Sequence, residues 1–226
     1  MYRYETHAHT SETSLCAHSS AEDLIALYAG LGYRGVFITD HFINGNMARD
    51  DGPWESTVDR LMAGYEAAKA AGDRLGVDVF FGFEYSYGWC HLLTYGLGRE
   101  WLLAHPDVCE WHVEEYLRRV RNEGAFVIHA HPFREKVGHI HLFPESVDGV
   151  EVINSSRTQE ANDRAAAFAR MYSLPEVAGS DIHKASQKLL GYVDSPEPFR
   201  TVADYFAAMK AGKLSIGTLA REEMSR

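Results

Sequence analysis

Histidine carries most of the readable chemistry in this chain. Twelve of its 226 residues are histidine, and several stand beside carboxylates at the ends of apolar runs. His7 and His9, in "THAHT", lie two apart, so in an extended segment both imidazoles face one side. Asp40 and His41 close "VFITDH", Glu84 ends "VFFGFE", His129 and His131 end "AFVIHAH", and Asp181 and His183 follow "PEVAGS". His91, in "CHLLTYG", opens one more apolar run. Imidazole and carboxylate together suit zinc, iron or manganese. A single strand-end histidine is ordinarily a packed or surface residue. Five distant segments delivering ligands at the same structural position point instead to one dispersed metal site.

The elements that must position these groups follow from periodicity. "VFITD", "VDVFFGFE", "AFVIHAH", "GVEVIN" and "PEVAGSD" are short β-branched and aromatic runs, and they read as buried strands. Between them lie helical patterns. "SSAEDLIALYAGLGYRG" has Ser20 as N-cap and Asp23 three residues on, with Leu24, Leu27, Tyr28 and Leu31 on one face. "PWESTVDRLMAGYEAAKAAGDRLG" places Pro53 near its first turn. "DVCEWHVEEYLRRVRNEG", "ANDRAAAFARMY" and "TVADYFAAMKAG" complete the set. Strands alternating with helices predict a parallel α/β architecture, whose chemistry gathers at the carboxyl ends of the strands.

Composition narrows the function classes. Apolar content of 46% and charged content of 24% are those of a folded globular chain, not a disordered one. No fixed-period repeat or Gly/Ser-rich linker interrupts the sequence, so one domain over residues 1–226 is expected. No apolar run approaches the roughly 20 residues of a membrane helix. The polar start "MYRYETHAHT" is unlike a signal peptide, and a cytoplasmic protein is expected. Cys16, Cys90 and Cys109 are scattered and odd in number, implying no disulfide framework. A net charge of −10 with no basic run disfavours a broad nucleic-acid or membrane surface. Bound divalent metals would still make the local field positive, so a small phosphorylated substrate is compatible with that charge.

In order along the chain, "THAHT", "ITDHF", "GFE", "CHLL", "IHAHPFR", "VEVINSS" and "GSDIH" resemble the motifs of the PHP (polymerase and histidinol phosphatase) family, from residue 5 to about 215. The resemblance implies a distorted (β/α)7 TIM-like barrel with two or three divalent metals (Zn, Fe or Mn) at the C-terminal mouth. It implies hydrolysis of a phosphoester, by a phosphatase or phosphodiesterase that uses a metal-activated water. By matched motif, His7, His9 and Asp181 would hold a first metal. Glu84 would bridge to a second, held by His131 and His91; His41 and His183 would hold a third. Glu84, Asp181 and Asp40 are thus the catalytic candidates, Asp40 alternatively orienting a ligand. Arg134, in "HPFR", sits where relatives place a basic residue and would clamp phosphate through its guanidinium fork. Arg157 and Asn154, in "INSSR", are further substrate-binding candidates. An amidohydrolase-like metal hydrolase and a metal-binding domain without turnover are the alternatives.

One stretch departs from the family pattern. In "SETSLCAHSS" Leu15 occupies the place of an expected third-metal ligand, leaving Glu12, Cys16 and His18 as substitutes. Glu12 ranks first because it is acidic and reaches far. His18 comes second, and Cys16, a soft ligand beside hard ones, is expected to pack. His105 and His112 are read as turn and helix residues, His139 and His141 as part of a loop at the substrate entrance, and His129 as facing the same way as His131.

Overall fold

The computed structural model describes residues 1–47 and 52–221. Strand β1 (Tyr2–Ala8) leads to helix α1 (Ala21–Gly30), β2 (Gly35–Ile38) and the long helix α2 (Trp54–Leu75). Strands β3 (Asp78–Tyr87) and β4 (Cys90–Tyr95) follow, then helices α3 (Arg99–Ala104) and α4 (Val113–Asn122). The chain continues through β5 (Phe126–Ala130), β6 (Gly149–Asn154), α5 (Gln159–Met171), β7 (Glu176–Gly179), β8 (Leu189–Ser195), α6 (Val202–Lys210) and β9 (Ser215–Ala220).

The helix starts follow local chemistry. Ser20 caps α1 by accepting from Asp23 N, and its hydroxyl donates back to the Asp23 carboxylate. Ala21, Leu24, Ile25 and Tyr28 form the buried face, and Leu27 and Leu31 pack against the same cluster partly buried. Thr201 and Asp204 make a reciprocal capping box at α6. Helix α2 ends on Gly76, whose φ of 74° suits a residue without Cβ.

The strands join in the order β7-β6-β5-β4-β3-β2-β1-β8-β9. Pairs β1/β2, β2/β3, β5/β6 and β6/β7 are parallel. The segment after β7 returns to β1, with His9 N donating to Ile182 O and Ile182 N to His7 O. That contact brings the two ends of the run β1–β7 together, so the sheet is a nearly closed α/β barrel. The expected alternation fails at β4, which is antiparallel to both neighbours and joins β3 through a tight turn at Gly88-Trp89. Gly88 has φ 58°, as such a turn requires. Hairpin β8/β9 and the short α3 are additional elements the pattern did not indicate.

Inside the barrel, Tyr4, Phe37, Phe80, Leu93, Tyr95, Phe126, Ile128, Val177 and Val193 meet in one cluster with Tyr205 and Met209 of α6. Phe37 stacks on Phe80 at 4.6 Å between centroids and meets Tyr205 at 5.0 Å. These aromatics fill the end away from the strand carboxyl termini. The polar groups described next lie above them.

Candidate metal centre

Glu84 stands at the centre. It shares the inward face of β3 with Phe80, four residues earlier, because strand side chains alternate. Four imidazoles surround its fully buried carboxylate. His41 Nδ1 lies 2.7 Å from Oε2, while His91 Nδ1, His131 Nε2 and His7 Nε2 lie 2.9, 3.2 and 3.4 Å from Oε1. Asp181 forms a second focus, with Oδ1 3.3 Å from His9 Nε2 and Oδ2 3.7 Å from His131 Nε2. His7 and His9 face each other, Nε2 to Nε2, at 3.0 Å.

Backbone irregularities make this convergence possible. In β1, Tyr4 points into the aromatic core, and strict alternation would send Ala8 the same way. The register shifts between Glu5 and Ala8, so Ala8 packs among the helices while His7 and His9 reach the centre. His131 and Asp181 both adopt left-handed backbone, φ 27° and 50°, which non-glycine residues rarely occupy without compensation elsewhere. His131 thereby parts company with His129. The expectation that the two face alike is corrected: His129 lies 3.3 Å from Cys90 Sγ and packs near Phe143 and Phe168.

Ionisation readies the two carboxylates and His9 for a cation, while His7 and His41 hold protons that a cation would displace. Burial pushes Glu84 toward neutrality, but His91, His41 and His131 outweigh it and hold the carboxyl well below its usual range. His7, His9 and His131 do the same for Asp181 against its burial. Burial, with His41 beside it, depresses His9 and keeps its lone pair free. Burial would likewise depress His41, but Glu84 raises it to about 10. For His7, Glu151 and Asp181 overcome burial and raise it.

These residues fit a divalent cation. Buried Glu84 Oε2 and His41 Nδ1 meet at 2.7 Å without an aligned hydrogen bond, and buried His131 Nδ1 has no hydrogen-bond partner. Orphaned buried polar atoms are costly, and a cation bound among them would satisfy them. Four overlapping sets have ligand atoms all within 4.8 Å of one another: His7-His9-Asp181, Glu84-His91-His131, His9-His41-His183 and His7-His131-Glu151. The first two contain the residues of the first and second sets the resemblance implied; the third joins His9, expected in the first set, to His41 and His183.

Several expected site residues lie elsewhere. Glu12 is exposed, and both its carboxylate oxygens accept from Ala21 N at 3.0 Å. The unpaired amides at the start of α1 attract its charge, so it caps a helix instead of ligating. Leu15 faces solvent, and the His18 side chain is exposed as well. Cys16, expected to pack, has Sγ 3.2 Å from His41 Nε2 and 3.1 Å from His183 Nε2. Asp40 does not reach the cleft. It accepts from Thr10 N, Thr10 Oγ1 and Ser14 Oγ at 2.7, 2.7 and 2.6 Å, and Ser14 Oγ stands 3.4 Å from His9 Nδ1. It is a positioning residue, not a catalytic one. Asn154 is buried too; its amide donates to Glu151 at 2.8 Å and to Asp181 at 3.4 Å. It therefore ties two carboxylates together rather than meeting substrate.

Arg134 and Arg157 line a cleft of about 370 Å³ with Glu84, His91, His131 and Asp181. Arg134 Nη1 is 3.3 Å from His91 Nε2, and Arg157 Nη2 donates to Asp181 Oδ2 at 2.8 Å. Sequence reasoning missed Glu151, which lies in the middle of β6. It faces His7 Nδ1 at 2.9 Å and accepts from His131 N at 3.0 Å. The available signal was a lone carboxylate inside the apolar run "GVEVIN". Trp89, at the tip of the β3–β4 hairpin, also lines the cleft.

Comparison with known proteins agrees with this architecture. Residues 159–214 match the PHP-associated family model. A two-domain Bacteroides vulgatus protein containing a predicted PHP-like metal-dependent phosphoesterase superposes with a TM-score of 0.72 at 14% identity, over 96% of this chain and 64% of its own. The likeness is one of fold. PsfC from Pseudomonas syringae is similar to this chain, with a TM-score of 0.65 at 16% identity over 99% of this chain and 93% of that one. An amidohydrolase from Chromobacterium violaceum, with sulfate bound and no metal, has a TM-score of 0.56 at 15% identity, over 97% and 98%. No curated protein matches the chain. Among the described residues no helix is long and apolar enough to cross a membrane.

Proposed function

We propose that this chain is a metal-dependent phosphoesterase acting on a small phosphorylated substrate. The observation that carries the reading is one buried carboxylate, Glu84, ringed by four imidazoles at the floor of a cleft whose wall holds Arg134 and Arg157. His7, His9 and Asp181 would hold one divalent cation and Glu84, His91 and His131 a second. Bound there, such cations supply Lewis acidity, lowering the pKa of water and offsetting charge on phosphoryl oxygens.

The chain's own residues do the rest. Arg134 and Arg157 present guanidinium donors to phosphate oxygens, a match that favours phosphoester over uncharged amide. Glu151 fixes the orientation of the His7 ring. Asp40, through Ser14, fixes that of His9. The cleft volume of about 370 Å³ suits a small molecule.

The test is turnover by metal-reconstituted protein of p-nitrophenyl phosphate and its bis ester, beside a p-nitroanilide. Arg134→Ala should raise KM about 10- to 100-fold, the worth of a lost charge-assisted hydrogen bond, with metal content unchanged. Full metal loading with hydrolysis of the anilide alone would overturn the phosphoester reading in favour of the amidohydrolase alternative.

A further inference from the structure

Cys16 sits where three parts of the chain pin it. Leu15 N donates to Asn46 O at 3.0 Å, Ala17 N to Ser14 O at 3.0 Å and His18 N to His183 O at 2.7 Å. The backbone on both sides is therefore fixed to the loop after β2 and to the segment after β7. Sγ is held between two imidazole nitrogens, His41 Nε2 at 3.2 Å and His183 Nε2 at 3.1 Å.

Proton counting makes this arrangement informative. His183 Nδ1 lies 3.0 Å from the Asp181 carbonyl oxygen, which can only accept. The proton of a neutral His183 is thus on Nδ1, and Nε2 turns its lone pair toward sulfur. His41 turns Nδ1 to Glu84 Oε2 at 2.7 Å and Nε2 to the same sulfur. With His41 Nδ1 turned to Glu84 and His183 Nδ1 to a carbonyl, the Nε2 atoms of both imidazoles converge on sulfur. In addition, the ligand atoms of His41 and His183 lie within 4.8 Å of one another and of His9. His41 is also nine-tenths buried, and its Nε2 is the nitrogen turned to the outer site.

We propose that Cys16 is a thiolate ligand of an outer divalent cation held with His41 and His183, biasing that site toward zinc, cobalt or ferrous iron over manganese or magnesium. A tetrahedral zinc with bonds of about 2.3 Å to sulfur and about 2.0 Å to nitrogen holds those atoms about 3.5 Å apart, so the sulfur-nitrogen gaps need to open by only a few tenths of an ångström. Thiolate is a soft donor, and borderline cations accept it where manganese and magnesium prefer oxygen. The inference rests on the metal reading of the site, but not on which ester the site hydrolyses.

The experiment is spectroscopic. Full-length protein is stripped with chelator, reloaded with cobalt(II), and read for a sulfur-to-cobalt charge-transfer band in the near ultraviolet alongside bound cobalt per chain. Wild type and the double variant Cys90→Ser/Cys109→Ser should show the band. Cys16→Ser should lose it together with about one equivalent of cobalt, and Cys16→Asp should restore the equivalent without the band. Circular dichroism of each variant establishes that it folds. A fully loaded wild type without the band, or Cys16→Ser with band and stoichiometry unchanged, overturns the proposal and leaves His41-Cys16-His183 a thiolate-imidazolium contact. Turnover is scored separately. A band without phosphoester hydrolysis sinks the functional reading alone, and hydrolysis without a band sinks the sulfur ligand alone.

Discussion

Replacing Glu151 by glutamine exchanges one oxygen for an amide nitrogen, and the surrounding donors decide the consequence. Oε1 faces His7 Nδ1 at 2.9 Å; Oε2 accepts from His131 N at 3.0 Å and from the Asn154 amide at 2.8 Å. A carboxylate satisfies all three, whereas glutamine has one acceptor oxygen. If that oxygen keeps the His131 and Asn154 bonds, the new NH2 group faces His7 Nδ1. The ring must then carry its proton on Nε2, the nitrogen that points at His9, Glu84 and Asp181. The lone pair needed by a cation is lost, and removing such an orienting partner typically costs 10- to 100-fold in metal affinity. We expect Glu151→Gln to weaken binding at the inner site by about that factor, equivalent to about 1.4–2.8 kcal/mol. The metal-free variant should also lose about 1.5–3 kcal/mol of stability, the scale of a hydrogen bond to a charged group. Zinc titration against a competing chelator reads the first effect and urea unfolding of metal-free protein the second. Wild-type zinc affinity in the glutamine variant would refute the tautomer argument, whatever its stability.

Other outcomes follow from the same geometry. Glu12→Ala should cost about 0.5–2 kcal/mol, as the loss of an N-terminal cap does, and leave metal equivalents unchanged on metal analysis; loss of an equivalent would restore Glu12 as a ligand. Gly64→Ala should destabilise the chain by about 1–3 kcal/mol in thermal melts, because the added Cβ would overlap Thr10 Oγ1 and Asp40 Oδ2. Stability of the metal-free chain should be bell-shaped in pH. Glu84 and Asp181 are depressed from 4.5 and 3.8, so their contribution is complete above those values and lost as pH falls further. His41, raised from 6.5 to about 10, contributes fully below 6.5 and loses that contribution as pH rises through about 10. Denaturant midpoints across pH check both limbs; flat behaviour on the alkaline side would place His41 outside the charge network.

Much of the fold was legible locally. The "VFITD", "VDVFFGFE", "GVEVIN" and "PEVAGSD" runs became strands, and Ser20 capped α1 as its spacing indicated. The antiparallel β4 was not read, since strand direction is a property of pairing and the Gly88-Trp89 turn that sets it lies inside a continuous aromatic stretch. Glu12 was ranked as a ligand on reach alone. Reach carries no direction, and the start of α1, with its unpaired amide on Ala21, supplied one. Cys16 was set aside on donor softness, and its neighbours in space come from segments 25 and 167 residues away.

The sequence by itself determined which donors exist, that they fall at the carboxyl ends of alternating elements, and that imidazoles and carboxylates dominate them. Those are consequences of residue type and short-range periodicity. Only the tertiary structure decided which donors share a centre. The register shift in β1 turns His7 and His9 inward, and the left-handed backbone at His131 and Asp181 breaks the alternation that would have aimed them elsewhere. Such irregularities are held by packing and by bonds from distant segments, as Glu151 holds His131 N. No local pattern encodes them, because a strained φ persists only where the assembled surroundings compensate for it.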